Sequence, residues 1–185
     1  MRILHISKYY YPYVGGVENI CKYIVDSTSN ADVAVVCFND GRSNIIDEVN
    51  GVKVYRVGAW LTIARQALSL SYFTVLHKAI KEFRPDVIQF HWANPFPALV
   101  LLTMIPKDIK LIVHWHMDII KQAKLYPLVK PIETWLLKKA DLIVVTSPQY
   151  RDSSIPLQPF KEKIRVVPNA IDQEQYNKII AYESR

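Results

Sequence analysis

Short apolar runs rich in β-branched residues recur along this chain, with segments of helical periodicity between them. Ala31 to Phe38, Val87 to His91, Lys110 to His114 and Leu142 to Thr146 show this most plainly. A run apolar on both of its faces belongs in a sheet that is covered on both sides. Strands that alternate with helices fill such a sheet through parallel crossovers. Ile3 to Ile6, Val52 to Val57 and Ile164 to Val167 bring the total to about seven strands. Between them, Val17, Ile20, Cys21 and Ile24 form one apolar face of a helix expected over Gly16 to Ser27. A second helical region covers about Ser69 to Phe83 and breaks at Arg84-Pro85-Asp86. A third covers Pro95 to Met104, with proline in its first turn. Ile119 to Ala140 holds helical material interrupted at Pro127 and Pro131, and Asn39 to Asn50 reads as a polar loop. The expected fold is α/β: a doubly wound, mostly parallel sheet with helices on both faces, Rossmann-like.

Composition narrows the class. At 185 residues and 50% apolar, the chain can bury one sizeable core. Cys21 and Cys37 sit in apolar segments and read as buried thiols of a reducing compartment. No signal peptide opens the sequence and no apolar stretch is long enough to span a bilayer, so a cytoplasmic protein is expected. A net charge of +6 and a pI of 9.2 favour an anionic partner: a phosphate, an anionic lipid or a nucleic acid. Nucleic acid is the least supported, because no helix-turn-helix, RRM, KH or zinc-finger signature is present.

Loops that follow parallel strands open on one edge of the sheet, where ligands bind. Gly15-Gly16-Val17-Glu18 lies between a strand and a helix, so its amides form a positive helix terminus suited to phosphate or carboxylate. It is neither G-x-G-x-x-G nor a P-loop. The plain alternative is a tight turn that needs glycine for its dihedrals. Glu18 can complement the helix dipole or accept hydrogen bonds from hydroxyls. His114-Trp115-His116-Met117-Asp118 closes another strand. His116 and Asp118 lie beyond its end, where a histidine can donate a hydrogen bond or shuttle a proton and an Asp can orient it. His114 reads as a core residue. His-x-His on a strand also allows a metal site with His91 as third ligand, an alternative that would make the chain a metal-dependent hydrolase. His91-Trp92-Ala93-Asn94-Pro95 should open on the same edge. There Trp92 and Asn94 can shape a sugar pocket, or Asn94 can simply cap a helix. Finally, Lys121, Lys124, Lys130, Lys138 and Lys139 mingle with Tyr126, Leu128 and Trp135. That pattern suits an anionic membrane surface as well as an ordinary solvated helix.

Taken in order, several segments resemble family 4 retaining glycosyltransferases of the GT-B fold. They are Met1 to Ile6 with Tyr10 to Glu18, Arg84 to His91, Trp115 to Gln122, Ala140 to Pro148 and Lys163 to Asp172. The resemblance implies two facing Rossmann-like domains, the N-terminal one for the acceptor and the C-terminal one for a nucleotide-sugar. It implies that Gly15 and Gly16 lie near the donor phosphate and acceptor, that His116 is the active-site histidine beside the transferred sugar, and that Asp118 is the acidic position after it. Pro168-Asn169-Ala170 departs from the family's Pro-Asn-Gly. The basic and paired glutamate residues of the donor domain have no counterpart here. Residues 1–170 are therefore expected to form the acceptor domain, and 171–185 the start of a linker to a C-terminal half. The expected activity of the whole is sugar transfer from a nucleotide-sugar to a hydroxyl acceptor, glycan or lipid-linked, in cell-surface polysaccharide or glycolipid synthesis. The nucleotide-sugar would be a co-substrate, with no resident cofactor and no metal. The fragment alone is expected to be inactive, and the whole can be peripheral on the inner membrane face. The competing expectation is a non-catalytic Rossmann-like module that binds a sugar or a protein.

Overall fold

The computed structural model describes residues 1–63, 66–119 and 126–169. β1 (Arg2–Ile6) leads into α1 (Gly16–Ser27). Then come β2 (Asp32–Phe38), β3 (Ile45–Val49), β4 (Val52–Val57), and the short β5 (Leu61–Ile63) and β6 (Gln66–Leu68). α2 (Ser71–Phe83), β7 (Val87–Trp92), α3 (Pro95–Met104), β8 (Lys110–Trp115) and α4 (Tyr126–Lys139) follow. The described chain finishes with β9 (Leu142–Val145), α5 (Pro148–Ser153), a 3-10 segment (Ile155–Lys163) and β10 (Ile164–Val166).

Eight strands form one sheet in the order β10-β9-β8-β7-β1-β2-β4-β3, and β5 pairs with β6 alone. Every neighbouring pair in the large sheet is parallel except β3 with β4. The chain builds outward from β1 to β2 and β4, then returns to β7 and builds the other way. The point of reversal lies between β1 and β7, which is where a crevice opens in sheets of this kind.

The core strands read as their sequence suggests. Leu4, Ile6, Val36, Ile88, Phe90, Val113 and Ile143 are buried in one cluster under the helices. Each such side chain contributes about 1.5–3 kcal/mol on burial. α1 turns Cys21 and Val25 inward, and Cys21 and Cys37 are buried free thiols. α1 and α3 have the bounds the periodicity predicts.

Four elements differ from expectation. Residues 39–50 are not all loop, because β3 lies there as an antiparallel edge strand. Of its five residues only Val49 is buried, so its Ile45-Ile46-Asp47-Glu48 carries no strand-like alternation. The β5–β6 pair was not expected either, being two strands of three residues each. α4 continues through Pro131, which gives up one hydrogen bond without ending the helix.

Candidate active site

The register of the central strands places the site. His5 of β1 pairs with Gln89 of β7, and His91 and Trp92 of β7 pair with His114 and Trp115 of β8. Side chains alternate along a strand, so His5, Gln89, His91 and His114 share one face while Trp92 and Trp115 share the other. His116, one residue past β8, stays on the histidine face: its ring stacks on His114 with centroids 4.1 Å apart.

The result is a line of imidazoles running from the core to a cleft. His5 Nδ1 lies 3.2 Å from His91 Nε2, and His91 Nδ1 lies 3.0 Å from His116 Nε2. Burial holds all of them below the usual histidine range. His5 is pushed down to about 4 by burial and then by the nearby His114. Burial alone lowers His114 to about 4. Burial and then His114 lower His116 to about 3. Fully enclosed, His91 is displaced the same way, by burial first and then by its three histidine neighbours. All four are therefore neutral near pH 7, each with a single N–H.

A neutral His91 between two neighbours must donate to one and accept from the other. Nε2 of His5 is buried and has no partner among the described residues. If the chain of bonds ran inward from His116, that nitrogen would carry an orphaned N–H. If it runs outward, the nitrogen is only an unused lone pair, which costs less. The outward sense follows: His5 Nδ1–H to His91, and His91 Nδ1–H to His116 Nε2. His116 then carries its hydrogen on Nδ1, on the edge of the ring that His91 does not use.

The cleft at the end of this line has a volume of 660 Å³, within the range of small-ligand sites. Its lining includes Gly16, Glu18, His91, His116 and Asp118. Gly15 is the N-cap of α1, with extended backbone and no side-chain cap. Neither glycine needs a left-handed φ, so the tight-turn reading does not hold. A Cβ on Gly16 would meet nothing within 4 Å, whereas one on Gly15 would run into the Glu18 carboxylate. Glu18 thus folds its carboxylate back over the start of α1, while the bare Gly16 leaves the cleft wall beside it clear of side chain.

Several expected roles are corrected. Asp118 does not orient His116. Its Oδ1 accepts from Trp115 Nε1 at 2.8 Å, Tyr150 hydroxyl at 3.1 Å and Ser154 hydroxyl at 2.8 Å. It therefore anchors the loop after β8 to α5 and the segment beyond it. Trp92 does not line the cleft: it is fully buried on the far face, stacked on Trp115 at 5.2 Å. Asn94 is also buried, at the N-cap of α3, and its side chain makes no capping bond. Lys121 and Lys124 lie outside the described residues. Lys130, Trp135 and Lys138 line a shallow groove along α4, and Lys139 is exposed beside them. Sequence reasoning missed Lys8, Gln66 and Asn169 on the cleft wall. Lys8 and Asn169 each follow a parallel strand, a position that could have flagged them; Gln66 had no such signal.

Nitrogens of His91, His114 and His116 lie within 4.8 Å of one another, and a second such group joins His5, Cys21 and His91. The first set could face a metal. Its tightest pair, however, is already spaced as a hydrogen bond at 3.0 Å. Ligands at about 2.05 Å from a tetrahedral zinc stand about 3.3 Å apart.

A family model, Glycosyltransferase Family 4, matches residues 14–175 of this chain. The chain belongs to glycosyltransferase family 4. Among curated relatives of this family-4 chain, the O-antigen chain mannosyltransferase C of Escherichia coli is 29% identical over 179 residues. The D-rhamnosyltransferase WbpZ of Pseudomonas aeruginosa is 32% identical over 182. These alignments cover 94% and 96% of the chain but 47% of each relative, so the chain spans about half the length of the curated relatives it matches. In fold, the family-4 chain is similar to a sucrose-phosphate synthase of Thermosynechococcus elongatus, with TM-score 0.62 and 13% identity over 99% of this chain and 97% of that one. It is also similar to the Anabaena protein HepE, solved with UDP and glucose, with TM-score 0.57 and 16% identity over 100% of this chain and 50% of that one.

Proposed function

We propose that this chain is the N-terminal, acceptor-binding half of a retaining glycosyltransferase. The observation that carries this reading is the cleft at the sheet's reversal point. It joins the start of α1, with its bare Gly16, to a histidine whose free N–H is set by a buried network. The donor is a nucleotide-activated hexose or deoxyhexose, a class suggested by the mannosyl- and rhamnosyltransferase relatives. The acceptor is a hydroxyl of a growing cell-surface glycan or its lipid-linked precursor. Departure of the nucleotide leaves a sugar with oxocarbenium character, and His116 Nδ1–H donates to an oxygen of that sugar. The amides at Gly16 face phosphate or acceptor oxygens, in a site that supplies donors where charge develops. No resident cofactor or metal takes part.

The test is turnover by the full-length enzyme with a panel of nucleotide-sugars, in the presence of EDTA, with the anomeric configuration of the product read by NMR. His116→Ala is expected to lower kcat at least about 100-fold. Turnover unchanged by that substitution would remove His116 from the chemistry. An inverted product would remove the retaining mechanism, and loss of activity in EDTA would restore the metal reading. Absence of turnover with every donor would favour a binding module.

We further propose that α4 rests on the inner face of an anionic membrane. Leu128 and Trp135 are 74% and 47% exposed, and Lys130, Lys138 and Lys139 lie on the same helix. No helix among the described residues is long and apolar enough to cross a membrane. Co-sedimentation with phosphatidylglycerol vesicles at low salt should be strong and should fall in Trp135→Ala. No binding at low salt would sink the idea.

A further inference from the structure

A second pocket, of 230 Å³, lies on the same edge of the sheet as the cleft but over β2 and β4. One wall is the aromatic loop after β1. Tyr9 and Tyr13 stack with centroids 4.3 Å apart and planes 17° from parallel, and Tyr13 is half exposed. The loop is held from beneath by Arg56 of β4, which is buried. Its guanidinium donates to Tyr11 O at 2.6 Å, to Tyr10 O at 3.5 Å and to Asp47 Oδ2 at 3.0 Å. The opposite wall is the turn after β2. Asn39 braces that turn by donating to Ser43 O and accepting from Asp40 N. The exposed Asp40 carboxylate accepts no hydrogen bond among the described residues.

The chemistry of this lining selects its ligand. Among the described residues that line the pocket Arg56 is the one cation, and it is paired with Asp47; Lys8 Nζ lies 5.6 Å from the Tyr9 ring centroid. The Arg56 guanidinium is taken up by Asp47 and two loop carbonyls, so it is not free to pair with a phosphate or a nucleotide, and Asp40 adds a negative charge that disfavours one. What remains is a stacked aromatic face beside a carboxylate that no described residue uses, in a space that suits a single ring. A neutral, hydroxyl-rich sugar meets all three conditions: its apolar face packs on the tyrosine and its hydroxyls donate to the carboxylate.

Location fixes the role. From His91 on β7 to Arg56 on β4 is three strand steps, about 14 Å at about 4.8 Å each. Lys8 lines the main cleft and the adjacent Tyr9 lines this pocket, so the two are neighbours along one edge of the sheet. We propose that the pocket of Tyr9, Tyr13, Asn39 and Asp40 is a second carbohydrate subsite, holding a sugar ring of the acceptor remote from the reacting hydroxyl. This inference rests on the glycosyl-transfer reading above.

Amide chemical shifts of the ¹⁵N-labelled chain, titrated with α-linked mannotriose and separately with chitotriose, test it. At least one trisaccharide should shift Tyr9, Asn39 and Asp40. Tyr13→Ala should weaken that binding about three- to tenfold, the loss expected for one aromatic contact. Tyr13→Phe should keep it, and Asp40→Asn should weaken it with the stack intact. Shifts confined to Gly16, His116 and Met117, with affinity unmoved by Tyr13→Ala, would overturn the subsite and leave the transferase reading standing. Shifts at neither set with either sugar would count against both.

Discussion

At the scale of single residues, the site depends on which nitrogen of His116 bears hydrogen. His91 touches both His5 and His116, so it sets that tautomer although it is itself enclosed. We expect ¹⁵N-imidazole spectra near pH 7 to show His116 as the Nδ1–H form. His91→Phe, which cannot donate, should release His116 toward a mixture of tautomers. A dominant Nε2–H form in the unaltered chain would reverse the direction of the network. The sequence exposed this much: His91 lies near the end of one parallel strand and His116 just past another, so both could be expected on one edge. It misled for Trp92, since neighbours on a strand point to opposite faces and cannot share a cleft wall. Applying that period-two rule to His91 and Trp92 would have sent one of them inward.

Among the elements, Asp118 acts as a joint. Its Oδ1 collects three donors, from β8, α5 and the residue after α5. Asp118→Ala strands those donors and should cost about 3 kcal/mol in urea unfolding, each lost charged bond being about 1.5–3 kcal/mol before coupling. Asp118→Asn retains an acceptor and should cost less. A loss below about 1 kcal/mol for the alanine variant would show that the three donors find water instead. Legibility at this scale followed local chemistry. α3 could be bounded because Pro95 stands at its start. β3 could not, because an edge strand with one buried residue has no apolar pattern to read. Pro131 looked like a break but is carried inside α4, whose Leu136 and Leu137 are packed into the core.

For the whole molecule, four neutral histidines buried together make the fold sensitive to acid. Their folded values lie below the ordinary 6.5, at about 4 for His5 and His114 and about 3 for His116. Between those values and 6.5 the unfolded chain binds more protons than the folded one, so stability falls as pH drops. Thermal melting should be level above about pH 7, decline from about pH 6.5, and lose this contribution fully near pH 3–4. A melting temperature unchanged between pH 7 and 5 would mean that the cluster is hydrated and titrates normally. The sequence by itself determined the alternation of buried strands and helices, and with it a parallel sheet whose loops open on one edge. It also determined that a glycine loop and a histidine run would lie on that edge. Only the tertiary structure decided the order and register of the strands. His5 and His91 meet across a separation of 86 residues, and no local periodicity encodes such a contact. Packing of β1 against β7 makes it, turning separate histidines into one line that ends in the cleft.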